Sequence, residues 1–276
     1  MSAVRIALYQ SQSGIEPAAN AERLGKAIAE AAAGGAAMIF TPEMSGMLDR
    51  DRERALSKAK PESEDAVLAA VRRAAADYRI WVHLGSLALL GPGGKLVNRG
   101  FVIDDGGDIR ARYDKIHLFD VDLPTGESWR ESAMYEPGKR AVIVDGTPVG
   151  RLGLTICYDL RFPALFERLS EAGADVVSVP AAFTVPTGKA HWEVLLRARA
   201  IEAELFVVAA AQAGHHEDGR ATYGHSLVAD PWGELLLEMD AEPGIAFTDI
   251  DLARIADVRG RIPVHQHRRP IEPIAN

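Results

Sequence analysis

The chain reads as an α/β protein whose sheets mix parallel and antiparallel strands. Two observations carry that expectation. Short apolar runs alternate with helical stretches along the chain, the pattern of strands joined by helical crossovers. Between some of those runs stand Gly91-Pro-Gly-Gly94 and Asp105-Gly-Gly107, turn sequences that punctuate hairpins and so require antiparallel pairs. No linker or composition shift divides the 276 residues. Residues 1–276 are therefore expected to form one domain, with an arm over about 263–276.

Each element has its own signal in the sequence. Val4–Gln10 alternates as a strand. Asn20–Ala33 is an alanine-rich helix that Gly34-Gly35 stops. Ala36–Phe40 is a second, short apolar strand. Ser63–Tyr78 places Val67, Val71 and Ala75 on one helical face and carries acids in its first turn. Strands follow at Ile80–Leu89, Leu96–Asp104 and Ile109–Tyr113. Residues 116–139 form a long polar loop, and a loop of that length inside a compact chain is usually functional. Ala141–Val144 pairs with Val149–Ile156. A helix over 162–171 leads to strand Val176–Val179. The loop Pro180–Ala190 precedes helix His191–Glu204. Strand Phe206–Ala211, a His/Gly loop over 214–224, a hairpin of Leu227–Ala229 with Leu235–Met239, strand Ile245–Ile250 and helix Leu252–Arg259 complete the order. The arm holds three prolines and little periodicity.

Composition narrows the function. A hydrophobic fraction of 47% is ample for a core, and 31 Lys+Arg against 39 Asp+Glu leaves −8. An acidic protein is a poor electrostatic match for nucleic acid or an anionic membrane, so neither is expected as a partner. No run approaches membrane-spanning length, and the N-terminus lacks the charged and apolar regions of a signal peptide. One cysteine excludes an intramolecular disulfide framework and suits the cytoplasm.

That cysteine is the most informative residue. Cys157 closes the apolar run Gly150–Ile156 and opens the polar turn Cys157-Tyr-Asp-Leu-Arg161. A thiol at a strand end, near a helix N-terminus, is placed to act as a nucleophile and is expected to be favoured as thiolate. Glu43, in Thr41-Pro-Glu43, follows the strand Ala36–Phe40 and lies at a carboxyl end, where open α/β sheets put their chemistry. Lys115, in Tyr113-Asp-Lys-Ile-His-Leu-Phe119, follows Ile109–Tyr113 in the same way. Competing motifs fail. Gly224-His-Ser226 lacks the frame of a serine elbow, Gly91-Pro-Gly-Gly-Lys95 lacks the spacing of a phosphate loop, and the scattered histidines lack metal-site spacing.

Together Glu43, Lys115 and Cys157, in this chain order and within these motifs, resemble the nitrilase or carbon–nitrogen hydrolase superfamily. The resemblance runs from Val4 to Arg269. The segments Thr187–Glu202, Ala209–His216, Tyr223-Gly-His-Ser226 and Asp230-Pro-Trp-Gly233 look like its Nit branch, which contains deaminated-glutathione amidase and omega-amidase. The resemblance implies a four-layer αββα sandwich of two mixed sheets and a cofactor-free, metal-free amidase that dimerises. It also implies roles. Cys157 is the nucleophile that forms a thioester. Glu43 moves the proton, and Lys115 with the backbone N–H of Tyr158 holds the oxyanion. Glu131, on the long loop, orients Lys115 or the hydrolytic water. Phe183 and Thr187 stand at the pocket wall. Arg161, four residues past Cys157, can grip a substrate carboxylate; the alternative is a salt bridge with a nearby acid such as Asp159. The implied substrate is a small amide with a 2-oxoglutaramyl head, deaminated glutathione first and free 2-oxoglutaramate second. A catalytically inactive scaffold of the same fold is the alternative from another class.

Overall fold

The computed structural model describes residues 3–122, 126–272 and Ile274. The chain begins with β1 (Val4–Gln10), α1 (Pro17–Ala33), β2 (Met38–Phe40), α2 (Arg52–Lys58) and α3 (Ala66–Tyr78). It continues through β3 (Trp81–Leu90), β4 (Leu96–Ile103), β5 (Ile109–Asp114), β6 (Asp120–Asp122), β7 (Ser128–Arg130), β8 (Tyr135–Glu136), β9 (Val142–Thr147) and β10 (Gly150–Leu154). Then come α4 (Pro163–Glu171), β11 (Val176–Ser178), α5 (Val185–Ala203), β12 (Phe206–Ala209), β13 (Ala213–His215) and β14 (Ala221–Tyr223). The order ends with β15 (Leu227–Ala229), β16 (Leu235–Glu238), β17 (Gly244–Ile250), α6 (Ala253–Arg261) and α7 (Val264–His267).

Two mixed sheets result. One has the order β17-β1-β2-β3-β4-β5, with β8 beside β4; the other runs β16-β15-β12-β11-β10-β9. In each, a parallel centre made by helical crossovers is flanked by antiparallel partners. Side-chain alternation stacks the layers. Ile6, Leu8, Met38 and Phe40 pack against Leu152, Leu154 and Val208 between the sheets. Ala7, Ile39 and Val82 turn the other way, under Leu24 and Ile28 of α1 and Val71 of α3. Phe166 of α4 and Trp192 and Leu196 of α5 cover the second sheet. The four-layer αββα sandwich is thus the architecture. A buried polar contact crosses the seam: His83 Nε2 and Ser178 Oγ are 3.1 Å apart. Burial pushes that imidazole down to about 3, so it stays neutral.

Several elements differ from the sequence expectation. The stretch 180–190 is not all loop, because α5 starts at Val185, after Thr184. Pro186 and Gly188 conceal this start. Proline fits a first turn, whose N–H groups have no helical partner. Glycine is needed at 188 because a Cβ there would lie 2.2 Å from the Tyr223 ring. Helix α1 likewise begins at a proline, Pro17 rather than Asn20. Helix α3 starts at Ala66, with the Asp65 carboxylate accepting from Leu68 N–H as its cap. Helix α2, too short to show a period, was not expected; Asp51 caps it. The long loop 116–139 contains the β6–β7 pair and β8, while residues 123–125 lie outside the described ones. The expected arm 263–276 is partly helical in α7, and Arg268 pairs with Glu167 and Glu171 at 2.9 and 2.6 Å. Pro273, Ala275 and Asn276 of that arm lie outside the described residues.

Candidate active site

Three strand ends meet where the seam between the sheets opens. Glu43 lies just past β2, Lys115 directly follows β5 and Cys157 lies just past β10. The first two strands belong to one sheet and the third to the other. Close backbone packing fixes the Glu43 segment. Gly85 of β3 passes so near that a Cβ there would lie 2.2 Å from Thr41 O and 2.4 Å from Pro42 O, and only glycine permits that approach. Gln212 Nε2 donates to Glu43 O at 2.9 Å. Cys157 adopts a left-handed φ of 50°, a strained setting for a residue with a Cβ. The 3₁₀ turn Cys157–Arg161 begins there, and Cys157 N–H donates to Pro180 O at 2.9 Å.

A buried carboxylate ties the lysine segment to the cysteine turn. Asp159 accepts from Tyr113 Oη at 2.7 Å, His117 N–H at 3.0 Å and Ile156 N–H at 2.9 Å, and lies 2.7 Å from His117 Nδ1. Tyr113 and His117 bracket Lys115. The Asp159–Arg161 salt bridge weighed from the sequence therefore does not form, because the acid is committed elsewhere.

The four expected side chains converge. Lys115 Nζ donates to Glu43 Oε1 at 2.9 Å and to Glu131 at 2.8 and 3.0 Å. Glu43 Oε2 accepts from Ala182 N–H at 3.0 Å, and the Glu43 carboxylate and the Lys115 ammonium both lie close enough to the Cys157 thiol to act on its charge. Glu131 Oε2 also accepts from Phe119 N–H at 2.6 Å. Asn98, which the sequence reading passed over, donates to Glu43 Oε1 at 2.9 Å and reaches Glu131 Oε1 at 3.4 Å. Its only signal was an amide, beside Arg99, in a strand that is apolar elsewhere. Glu43, Lys115 and Cys157 are all buried.

The electrostatics correct one expectation. Burial, then the neighbouring Glu43 carboxylate, pushes the Cys157 thiol well above its ordinary range, and Lys115 opposes them without winning. The resting group is therefore a thiol. The nearest α-helix, α4, begins only at Pro163, with the 3₁₀ turn between. Lys115 goes the other way. Burial works against its charge, but Glu131 and Glu43 outweigh burial and hold the ammonium well above its ordinary range.

These groups form the floor of a cavity of about 880 Å³, a size suited to a small molecule. Tyr158, Phe183 and Thr187 line it. Arg161 does not; it stands one layer back. Its Cζ is 5.6 Å from the Phe183 ring centroid and 5.9 Å from that of Tyr158, and Nη2 is 3.3 Å from His191 Nδ1. Among the described residues Arg161 has no acidic partner. Arginines 50, 52, 130 and 220, none of them anticipated, line the outer wall.

Comparison with known proteins gives the family of the whole chain. The carbon–nitrogen hydrolase family model matches residues 5–260. A deaminated glutathione amidase from Yersinia enterocolitica is 38% identical over 98% of this chain and 94% of its own length. One from Bos taurus is 40% identical over 96% of this chain and 82% of its own. The crystal structure of the Caenorhabditis elegans NitFhit protein superposes with a TM-score of 0.91 at 38% identity, covering 98% of this chain and 66% of that one. A glutamate, a lysine and a cysteine gathered at the open seam of an αββα sandwich, in a chain matched over nearly its whole length, place this protein in the carbon–nitrogen hydrolase family.

Proposed function

We propose that the protein hydrolyses the amide of a small, acidic 2-oxo acid derivative, deaminated glutathione, through a thioester on Cys157. One observation carries the reading: Glu43, hydrogen-bonded to Lys115 at 2.9 Å, shares one buried cavity floor with the Cys157 thiol. An amide is a weak electrophile with a poor leaving group, so it needs a nucleophile, a proton donor and an oxyanion site together. As Sγ attacks the carbonyl carbon, Glu43 takes the thiol proton. The oxyanion accepts hydrogen bonds from Lys115 Nζ and Tyr158 N–H. Collapse breaks the C–N bond while Glu43 passes its proton to the departing amine. Water then enters, Glu43 removes its proton, and hydroxide adds to the thioester to release the acid and restore the thiol. A resting thiol suits this sequence, because proton and nucleophile move in one step. Glu131 keeps Lys115 aimed throughout.

The acyl half of the substrate lies along Tyr158, Phe183 and Thr187. Arg161, whose charge has no acidic partner among the described residues, stands behind those rings and favours a carboxylate on the acyl side by its charge. A homodimer in the cytoplasm is the proposed setting. Exposed apolar side chains Val194 and Ile201 on α5 support the dimer, and light scattering on the purified protein tests it. Among the described residues no helix is long and apolar enough to cross a membrane.

Parallel turnover of deaminated glutathione, 2-oxoglutaramate and a neutral aliphatic amide tests the substrate. Deaminated glutathione should give the highest kcat/KM. Preference for 2-oxoglutaramate would make the enzyme an omega-amidase, preference for the neutral amide would refute the acidic head, and no turnover of any would leave a scaffold.

A further inference from the structure

Arg220 stands on the cavity wall and is held rigidly for an arginine of that position. Its Cζ lies 5.1 Å from the centroid of the Trp129 ring. Its Nε donates to Asp218 Oδ2 at 2.6 Å, and its backbone N–H donates to Asp218 Oδ1 at 3.0 Å. The Asp218 side chain is fully buried, and its Oδ2 also accepts Arg50 N–H at 2.8 Å. One face and one edge of the guanidinium are thereby fixed. Among the described residues its two terminal nitrogens donate to no acceptor, although the side chain lines the cavity. A planar fork oriented in advance matches a carboxylate and loses little entropy on binding one.

The charges around it favour an anion. Arg50 and Arg52 share this wall. Of the nearby acids, Asp49 is committed to Arg54 at 2.6 and 2.7 Å, which leaves Glu127 as the acid facing them. In a chain of net charge −8, such a cluster of guanidinium groups at the mouth of the reactive cavity runs against the average surface.

Position then assigns the half of the substrate. The group that protonates a departing amine must lie on the amine's side of the carbonyl. From Glu43 the wall continues through Met44, Met47 and Leu48 to Arg50, whose N–H shares Asp218 with Arg220. Tyr158, Phe183 and Arg161 lie with the cysteine turn and form the acyl side. Resting on the function proposed above, we infer that Arg220, stacked on Trp129 and fixed by Asp218, is a second anion site that binds a carboxylate on the departing half of the substrate. The enzyme then selects amides that are acidic at both ends.

Three substrates test this: deaminated glutathione, its C-terminal carboxamide, and 2-oxoglutaramate, whose leaving group carries no acid. Wild type should prefer the carboxylate over the carboxamide by roughly ten- to hundredfold in kcat/KM. Arg220→Gln should erase that preference and leave 2-oxoglutaramate within about threefold of wild type. Arg220→Lys, which keeps charge without the fork, should fall between and serves if the glutamine variant does not fold. No carboxylate preference in wild type, or equal losses on all three substrates in a folded variant, would overturn the subsite while leaving the amidase reading intact. If wild type turns over none of the three, the function proposed above fails. Calorimetric titration of Cys157→Ala, with and without Arg220→Gln, then decides the subsite alone. Tighter binding of deaminated glutathione than of its carboxamide, lost with Arg220, supports it; equal or absent binding refutes it.

Discussion

The floor and the outer wall of the cavity are built by different rules. The floor is made of largely buried residues, most of them at strand ends, with Glu43, Lys115 and Glu131 held by hydrogen bonds of 2.6–3.0 Å to one another and to the N–H groups of Ala182 and Phe119. Each side chain there has its partners within the cluster, so its geometry is set before a substrate arrives. The outer wall carries arginines from loops, from the start of α2 and from β7, and the terminal nitrogens of Arg220 have no acceptor among the described residues. Chemistry demands fixed positions, and regular structure supplies them. Recognition of a particular substrate needs only a few forks of the right sign, and loops can supply those. On this view, changes to the floor should affect all substrates, and changes to the wall should affect some.

The largest effect tests the floor at its centre. Cys157→Ala should abolish turnover of every substrate while the protein keeps its fold, because Cys157 is the only thiol. Activity within tenfold of wild type in a folded variant would remove the nucleophile. Mass spectrometry of the wild type during turnover should also find the acyl group on Cys157.

Lys115→Arg is the next largest. Charge is kept, yet a guanidinium is larger and planar and cannot fit where Nζ contacts both Glu43 and Glu131. Losing one oxyanion donor corresponds to about 10²–10³ in kcat. The loss should appear in kcat on all substrates, since the contact strengthens only in the transition state. A change confined to KM would make Lys115 a ground-state binder.

The same contrast explains what the sequence revealed. Most of the floor was legible because its residues follow apolar strands in motifs with a strong local signature. Glu43, Lys115 and Cys157 could be picked out that way, as could most of the strands, whereas Glu131 was named only through the family resemblance. The start of α5 was not legible, because its glycine answers to the Tyr223 ring, a tertiary neighbour 35 residues on. The resting thiol was not legible either. It depends on burial and on Glu43, which arrives from the opposite sheet. Asn98 and Arg220 carry no local pattern at all, since each acquires its meaning only from what folds beside it.

Arg161 sharpens the contrast from the acyl side. It stands behind Phe183 and Tyr158 with no acidic partner among the described residues. Arg161→Ala should lower kcat/KM by roughly ten- to hundredfold for 2-oxoglutaramate and deaminated glutathione alike, the loss of a positive charge held close behind the acyl side. A neutral short amide should change much less. An unchanged ratio between acidic and neutral substrates, with a lower Tm, would return Arg161 to a structural role.

Asp159 gives the smallest effect and the finest test, because it belongs to the floor without touching substrate. It accepts hydrogen bonds from the segment that carries Lys115 and from the turn that carries Cys157, and so sets one against the other. Asp159→Asn keeps the shape but turns one acceptor edge into a donor, which then faces N–H and O–H groups that also donate. A buried donor left unmatched costs about 1–3 kcal/mol, so Tm should fall by several degrees. If Asp159 were only structural, that would be the whole effect. As a positioning residue it should also shift the Lys115–Cys157 geometry and lower kcat by about tenfold, at unchanged KM, for acidic and neutral amides equally. Asp159→Glu restores the charge but lengthens the arm, so it should regain stability more than rate. A variant with lowered Tm and wild-type kcat would show that the two strand ends hold their register without this clamp, and that the floor owes its geometry to the sheets alone.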